Sequence, residues 1–375
     1  MNATLPRALG LAALAALLTT PALADRTASR PQVEVVFVLD TTGSMGGLIE
    51  AAKQKIWSVV NEIAEGKPSP DIKLGLIGYR DKGDAYVTTR TDLSGDLDAV
   101  YEKLMALGAD GGGDGPEHVN QALAEAVHKM SWSPSRKTLK VIYLVGDAPP
   151  HMDYQDDQKY PAIALQAVRK DLIINTIQCG SWDETRVSFT DIAHRSEGTF
   201  MAIAQDGGAV AVATPYDGRL AELAGKMDST YLTYGRAEEQ AARKAKLVRS
   251  AEATVAAAPA AAADRATFKG SAGGGFFGGR DLIADAETGT VSLDKLGDDE
   301  LPMELRGKDK ATQATLIAQK KTERAQIQKE IAALSKQRDE HIKNEMAKKG
   351  GAKDGFDAKV VESLRAKAAT KGITY

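Results

Sequence analysis

The stretch VEVVFVLDTTGSMGG, residues 33–47, is almost wholly apolar up to Asp40 and then turns to Thr41, Thr42, Ser44 and three glycines. A carboxylate followed by hydroxyls at alternate positions offers hard oxygen donors. Mg²⁺ takes such donors in a near-octahedral shell at about 2.0–2.1 Å. The same residues also suit a plain turn in which Thr42 or Ser44 caps the next helix. Two further stretches could add oxygens to a metal cage. GADGGGDGPEHVNQAL (108–123) sets Asp114 in a glycine loop, with Pro116 suited to the first turn of a helix, where Asp114 could instead act as the cap. LVGDAPPH (144–151) places Asp147 directly after a second apolar run, where it could ligate an ion or accept backbone N–H bonds. Nearby, Asp110 reads as a solvated turn residue and His151 as a surface-loop histidine. Arg80 and Asp81 in GYRD read as an ion pair holding a loop.

These residues work together only if the chain folds so that strand ends meet. VEVVFVLD, IKLGLIGY (72–79), LKVIYLVGD (139–147) and DLIINTIQ (171–178) are near-continuous apolar runs of the kind that form strands covered on both faces. Between them, apolar residues recur at helical spacing. In the first such segment they are Leu48, Ile49, Ala52, Ile56, Val59, Val60 and Ile63, closed by Gly66. Further helices are expected near 96–106, 116–130 and 158–170, with AYVTTRT (85–91) as a short edge strand. The alternation predicts an α/β fold: a doubly wound, mostly parallel sheet flanked by helices over residues 31–234. Ligands bind such sheets beyond the carboxyl ends of the strands, where Asp40 and Asp147 are both expected.

Beyond residue 235 the texture changes. Residues 235–307 read as an Ala- and Gly-rich linker with a small strap, and 308–375 as a helical C-terminal region. Within the latter, Ile327, Ile331 and Leu334 form one stripe that Arg338 and His341 interrupt. A single amphipathic helix, folded back on the domain or bound to a partner, is therefore expected in place of a sustained coiled coil. At the other end, MNATLPRALGLAALAALLTTPALAD has the form of a secretory signal over residues 1–24, cleaved between Ala24 and Asp25, which predicts a periplasmic or secreted protein without a stable membrane span.

The formal net charge of −3, with both signs interleaved, gives no electrostatic ground for a nucleic-acid partner. Cys179 is the only cysteine, so an intramolecular disulfide and a cysteine zinc site are both excluded. Five scattered histidines, no His-Glu-x-x-His helix and no Gly-x-Ser-x-Gly elbow argue against the commonest hydrolases.

DTTGS resembles the Asp-x-Ser/Thr-x-Ser signature of von Willebrand factor type A (VWA) domains, whose site is the metal-ion-dependent adhesion site (MIDAS). The resemblance covers about residues 31–234, because Asp147 and the GGGDGPE loop follow in the family's order. It implies metal ligands at Asp40, Thr42, Ser44 and Asp147, with Mg²⁺ (or Mn²⁺ or Ca²⁺) as the ion. Asp114 stands where many members carry threonine, as in variant members with an Asp in this loop. Three carboxylates around one divalent ion would over-neutralise it and weaken capture of a partner's acidic side chain. The expectation is a non-catalytic module of the cell envelope that binds a partner protein through the metal. The alternatives are a metal-dependent hydrolase using Asp114 or His151 as base, and a scaffold acting through residues 308–375.

Overall fold

The computed structural model describes residues 30–113, 115–208, 212–272, 281–348 and 355–375. The expected signal segment with its Ala24–Asp25 junction, and Asp114, lie outside the described residues. Six strands form one sheet in the order β3-β2-β1-β4-β5-β6. They are β1 (Gln32–Asp40), β2 (Asp71–Tyr79), β3 (Thr88–Ser94), β4 (Leu139–Gly146), β5 (Ile173–Cys179) and β6 (Phe200–Ile203). Only β3 runs antiparallel, against β2; the other pairings are parallel. The edge strand begins three residues later than the sequence pattern suggests. Tyr86 and Val87 are drawn into the turn, where the Tyr86 hydroxyl bonds Thr41 and the Val87 carbonyl accepts from the Arg80 N–H.

Every residue of β1 from Val33 to Asp40 is buried, because helices cover both faces. Val33, Val35, Phe37 and Leu39 point into one core with α1 (Gly46–Ala64) and α2 (Leu97–Ala106). Val36 and Val38 point into the other, filled by α3 (Val119–His128), α4 (Tyr160–Arg169) and α5 (Asp183–Arg195). Cys179 is buried in the first core, and burial holds its thiol well above the usual range.

The remaining helices are α6 (Asp217–Asp228), α7 (Ala237–Ala256), α8 (Pro259–Ala272), α9 (Leu282–Glu287), α10 (Lys310–Lys348) and α11 (Phe356–Ala368). Pro259 opens α8, where its missing N–H costs no helical bond. Leu220, Leu223, Ala224 and Met227 of α6 join Ala263, Ala266, Ile327 and Ile331 in a separate core built with α8 and α10. The helix that completes the sheet comes from the far end of the chain. Phe356, Val360 and Leu364 of α11 pack into the α1 side, and Phe356 lies 5.9 Å from the Phe37 ring. The Tyr143 hydroxyl donates to the Val360 carbonyl (3.0 Å) and meets the Ser363 hydroxyl (2.8 Å).

Arg338 does not interrupt the buried stripe of α10 as its charge suggests. It is 5% exposed, and its guanidinium donates to Asp217 (2.8 Å) and Asp264 (2.5 Å), so the stripe continues as a satisfied ion-pair network. Burial still pushes the Asp264 carboxyl up to about 6 against the pull of Arg338.

Candidate metal centre

The strand order reverses at β1, which has β2 on one side and β4 on the other, so a crevice opens at the carboxyl ends of β1 and β4. Leu39 pairs with Val145 in parallel register, so Asp40 and the Gly146–Asp147 step leave the sheet side by side. A Cβ at Gly146 would lie 3.2 Å from Asp40 Oδ2 and 2.4 Å from the Tyr79 hydroxyl, so only glycine lets the two strands present this carboxylate.

Asp40 is fully buried. Its Oδ1 accepts from the Thr42 N–H (2.9 Å) and the Thr42 hydroxyl (2.6 Å). The Thr42 hydroxyl in turn lies 3.4 Å from that of Ser44. Asp40 Oδ2 is buried and accepts no hydrogen bond from the described residues. Burial raises this carboxyl to about 7, opposed by the Thr42 hydrogen bonds and reinforced by the Asp147 charge. Asp147 Oδ2 accepts from Gln205 Nε2 (2.6 Å), and the same nitrogen reaches the Ser44 carbonyl at 3.4 Å. Asp40, Thr42, Ser44 and Asp147 therefore share one rim, whereas the placement of Asp114 is outside the described residues.

The glycine loop is stitched onto this rim. Gly43 N donates to Gly111 O and Asp110 N to Thr41 O, both at 3.1 Å. Gly111 and Gly112 adopt positive φ (77° and 84°), and the Asp84 carboxylate accepts from Gly112 N. A Cβ at Gly111 would fall 2.3 Å from Asp84 Oδ1. Gly111→Ala is therefore expected to lower stability by about 1–3 kcal/mol through strain and this clash. The midpoint of urea unfolding reads the effect, and an unshifted midpoint contradicts it.

Three residues differ from their sequence reading. Arg80 and Asp81 do not pair with each other. Arg80 Nε donates to the Thr41 carbonyl and Nη2 to the Gly108 carbonyl, both at 2.9 Å, so the guanidinium clamps the two loops, because carbonyls lie closer to it than Asp81 does. Asp81 instead accepts from the Tyr154 hydroxyl (2.7 Å). His151 is buried, 5% exposed, stacked 4.1 Å from the Tyr154 ring, with Nδ1 2.8 Å from Asp153 Oδ1. The two prolines before it turn the chain inward, where Glu117 N donates to Pro149 O and His151 N to Glu117 O. Asp110 is exposed, accepts from its neighbour Gly111 N and lies 3.9 Å from Arg80 Nη1.

Glu117 is the site residue that the sequence pattern hid. It is 4% exposed, its Oε2 is buried with no hydrogen-bond partner among the described residues, and its carboxyl is pushed up to about 9 by burial and then by the charges of Asp40, Asp81, Asp84 and Asp147. A glutamate just ahead of an apolar helical pattern reads as a solvated first-turn acid. The glycine run before it was the only sign of close approach.

Asp40 Oδ2 and Glu117 Oε2, buried without donors among the described residues and set among mutually repelling acids, are costly in an apolar setting and call for a cation, a proton or water. The hydroxyls of Thr42 and Ser44 supply neutral oxygens beside them, which fits a hard divalent ion. Among the described residues, no three His, Cys, Asp or Glu side chains are grouped to hold a metal, so such an ion would depend on those hydroxyls.

Residues 34–215 match the family model of the von Willebrand factor A domain. This stretch is a VWA domain. The chain is similar to von Willebrand factor A domain-containing protein 7 of Rattus norvegicus (38% identical over 97 residues, 26% of this chain and 10% of that protein). It is also similar to the Homo sapiens protein of the same name (37% over 110 residues, 28% and 12%) and to alpha-protein kinase vwkA of Dictyostelium discoideum (29% over 120 residues, 32% and 19%). The chain thus spans a fifth or less of the length of these relatives. Among solved structures it is similar to the SpRpn10 VWA domain (13% identity, TM-score 0.36, covering 46% of this chain and 88% of that one). Another is proximal thread matrix protein 1 from the mussel byssus, with a zinc-occupied MIDAS motif (14%, TM-score 0.37, 47% and 43%).

Proposed function

We propose that this VWA domain binds one divalent cation, Mg²⁺ or else Mn²⁺ or Ca²⁺, at the rim formed by Asp40, Thr42, Ser44 and Asp147, and uses it to hold a partner protein. The buried Oδ2 of Asp40, without a donor among the described residues, carries this reading. Asp147 and the two hydroxyls would complete the protein's share of the shell, with Asp114, three residues after Gly111 in the sequence, as a further carboxylate. The ion supplies positive charge that a partner's carboxylate can meet. Gln205 keeps the Asp147 carboxylate turned toward the rim, and Arg80 keeps the two loops closed beneath it.

The role is non-catalytic. His151, the nearest candidate base in the sequence, is engaged by the Tyr154 ring and Asp153. The excess of acid at the rim (Glu117 and Asp84 beside the proposed ligands) favours firm ion retention over strong capture of an acidic partner. We place the protein in the periplasm or outside the cell, on the strength of Arg7, the apolar run Ala8–Leu18 and the small residues before Asp25. Among the described residues no helix is long and apolar enough to cross a membrane.

Calorimetric titration with Mg²⁺ and Mn²⁺ tests the site. Saturable, EDTA-reversible binding that disappears in Asp40→Ala is expected, and Asp40→Ala binding the ion as wild type would end the proposal. Pull-down from envelope extract with and without EDTA then tests the metal-bridged partner.

A further inference from the structure

At the opposite end of the strands from the metal rim, a cavity of about 360 Å³ opens between the segment leading into β4 and the C-terminus of α4. The volume lies within the range of small-molecule sites. Its lining is strongly cationic: Arg136, Lys140, Arg169 and Lys170, against the single acid Asp171. Here the acids are already spent on other cations. Asp171 pairs with Lys371 (3.0 Å), and buried Glu34 nearby holds Lys73 (3.2 Å) and the Ser133 N–H (2.8 Å).

Lys140 is only 4% exposed, and its ammonium donates to the carbonyls of Ser133 (3.2 Å) and Lys170 (3.0 Å). Its third proton has no acceptor among the described residues. The guanidinium groups of Arg136 and Arg169 likewise make no hydrogen bond or ion pair with the described residues. Beside these donors stands Trp132, whose indole is fixed by a hydrogen bond from Nε1 to the Ala126 carbonyl (2.7 Å).

From this arrangement we propose that the cavity is a binding site for a small phosphate monoester carrying a planar organic group. Two planar guanidinium forks match the oxygens of a tetrahedral dianion. The buried ammonium adds a third, pre-positioned donor that needs no side-chain ordering on binding. The space exceeds that of bare phosphate, and the fixed indole gives a planar group a face to stack on. The site shares no residue with the metal rim.

Calorimetry on the full chain in EDTA, with adenosine monophosphate as probe, tests it. Adenosine lacks the charge and inorganic phosphate lacks the ring. Saturable binding of the monophosphate is expected, weaker for phosphate and absent for adenosine, and it should fall at least roughly tenfold in Arg136→Ala/Arg169→Ala, since charge-assisted hydrogen bonds are removed from exposed side chains. Asp40→Ala should bind the monophosphate as wild type does, which separates this site from the metal centre. No saturation by about 10 mM monophosphate, where affinity is negligible, overturns the assignment. So does equal affinity in the double variant. Retention on phosphatidate vesicles without monophosphate binding would overturn it too, by pointing to a lipid headgroup.

Discussion

In EDTA, this protein is expected to lose stability as the pH rises from about 4 to about 7, and divalent ions are expected to restore it at the upper end. The cause is Asp40. Its carboxyl is raised from 3.8 to about 7 in the fold, chiefly by burial. Over the window between those values the folded chain keeps a proton that the unfolded chain releases. Stability therefore falls with rising pH, the reverse of the usual ion-paired carboxylate. At about 1.4 kcal/mol per pH unit the full swing is on the order of 4 kcal/mol. Glu117, raised from 4.5 to about 9, adds to this decline from about pH 4.5 and carries it above neutrality.

A divalent ion needs the ionised carboxylate, so binding displaces the proton and strengthens as the pH rises. At about 100 times its dissociation constant it returns roughly 2.7 kcal/mol by mass action. Urea midpoints measured across the pH range, with and without Mg²⁺, give the answer. Asp40→Asn should flatten the acid-side slope and abolish the Mg²⁺ response together. If the two slopes coincide with and without metal, or if Asp40→Asn leaves both unchanged, the orphaned oxygen is not a cation ligand.

Asp40 and Asp147 were legible in the sequence because each ends an apolar run. A parallel sheet admits few ways to arrange such runs, and all of them gather the carboxyl ends on one edge. Thr42 and Ser44 followed from their spacing after Asp40. Glu117 was not legible, because its backbone is held by Pro149 and His151, a contact between distant segments that leaves no local pattern. The same holds for Arg338. Its charge marks the exposed face of a helix until Asp217 and Asp264, far away in sequence, are seen to neutralise it. The α11 segment belongs to the helical C-terminal region expected over 308–375, yet a helical reading does not name the surface that covers the helix. Helices after β6 were expected. That the last of them would close the sheet beside α1 could not be read from residues 356–368 alone.

That placement makes the C-terminus part of the VWA core, and it predicts that deleting residues 349–375 abolishes cooperative folding. Phe356, Val360, Leu364 and Ile373 are each at most 1% exposed. At about 1.5–3 kcal/mol per buried side chain their burial contributes roughly 6–12 kcal/mol, comparable to the whole net stability of a typical domain. Removing them would also bare Phe37 and leave the Tyr143 hydroxyl without the Val360 and Ser363 oxygens inside the fold. A milder variant grades the effect: Leu364→Ala should cost about 2–5 kcal/mol by leaving a cavity under the sheet. The damage should reach the metal rim as well. Phe356 N donates to Gly207 O (3.1 Å), and that loop carries Gln205, which holds Asp147. A truncation at the apparent domain end near Gly235 therefore tests stability before it tests binding. Far-UV circular dichroism and a urea titration of the shortened chain decide the matter. A soluble product that unfolds cooperatively at the wild-type midpoint would show that α11 is an ornament on a sheet already complete without it.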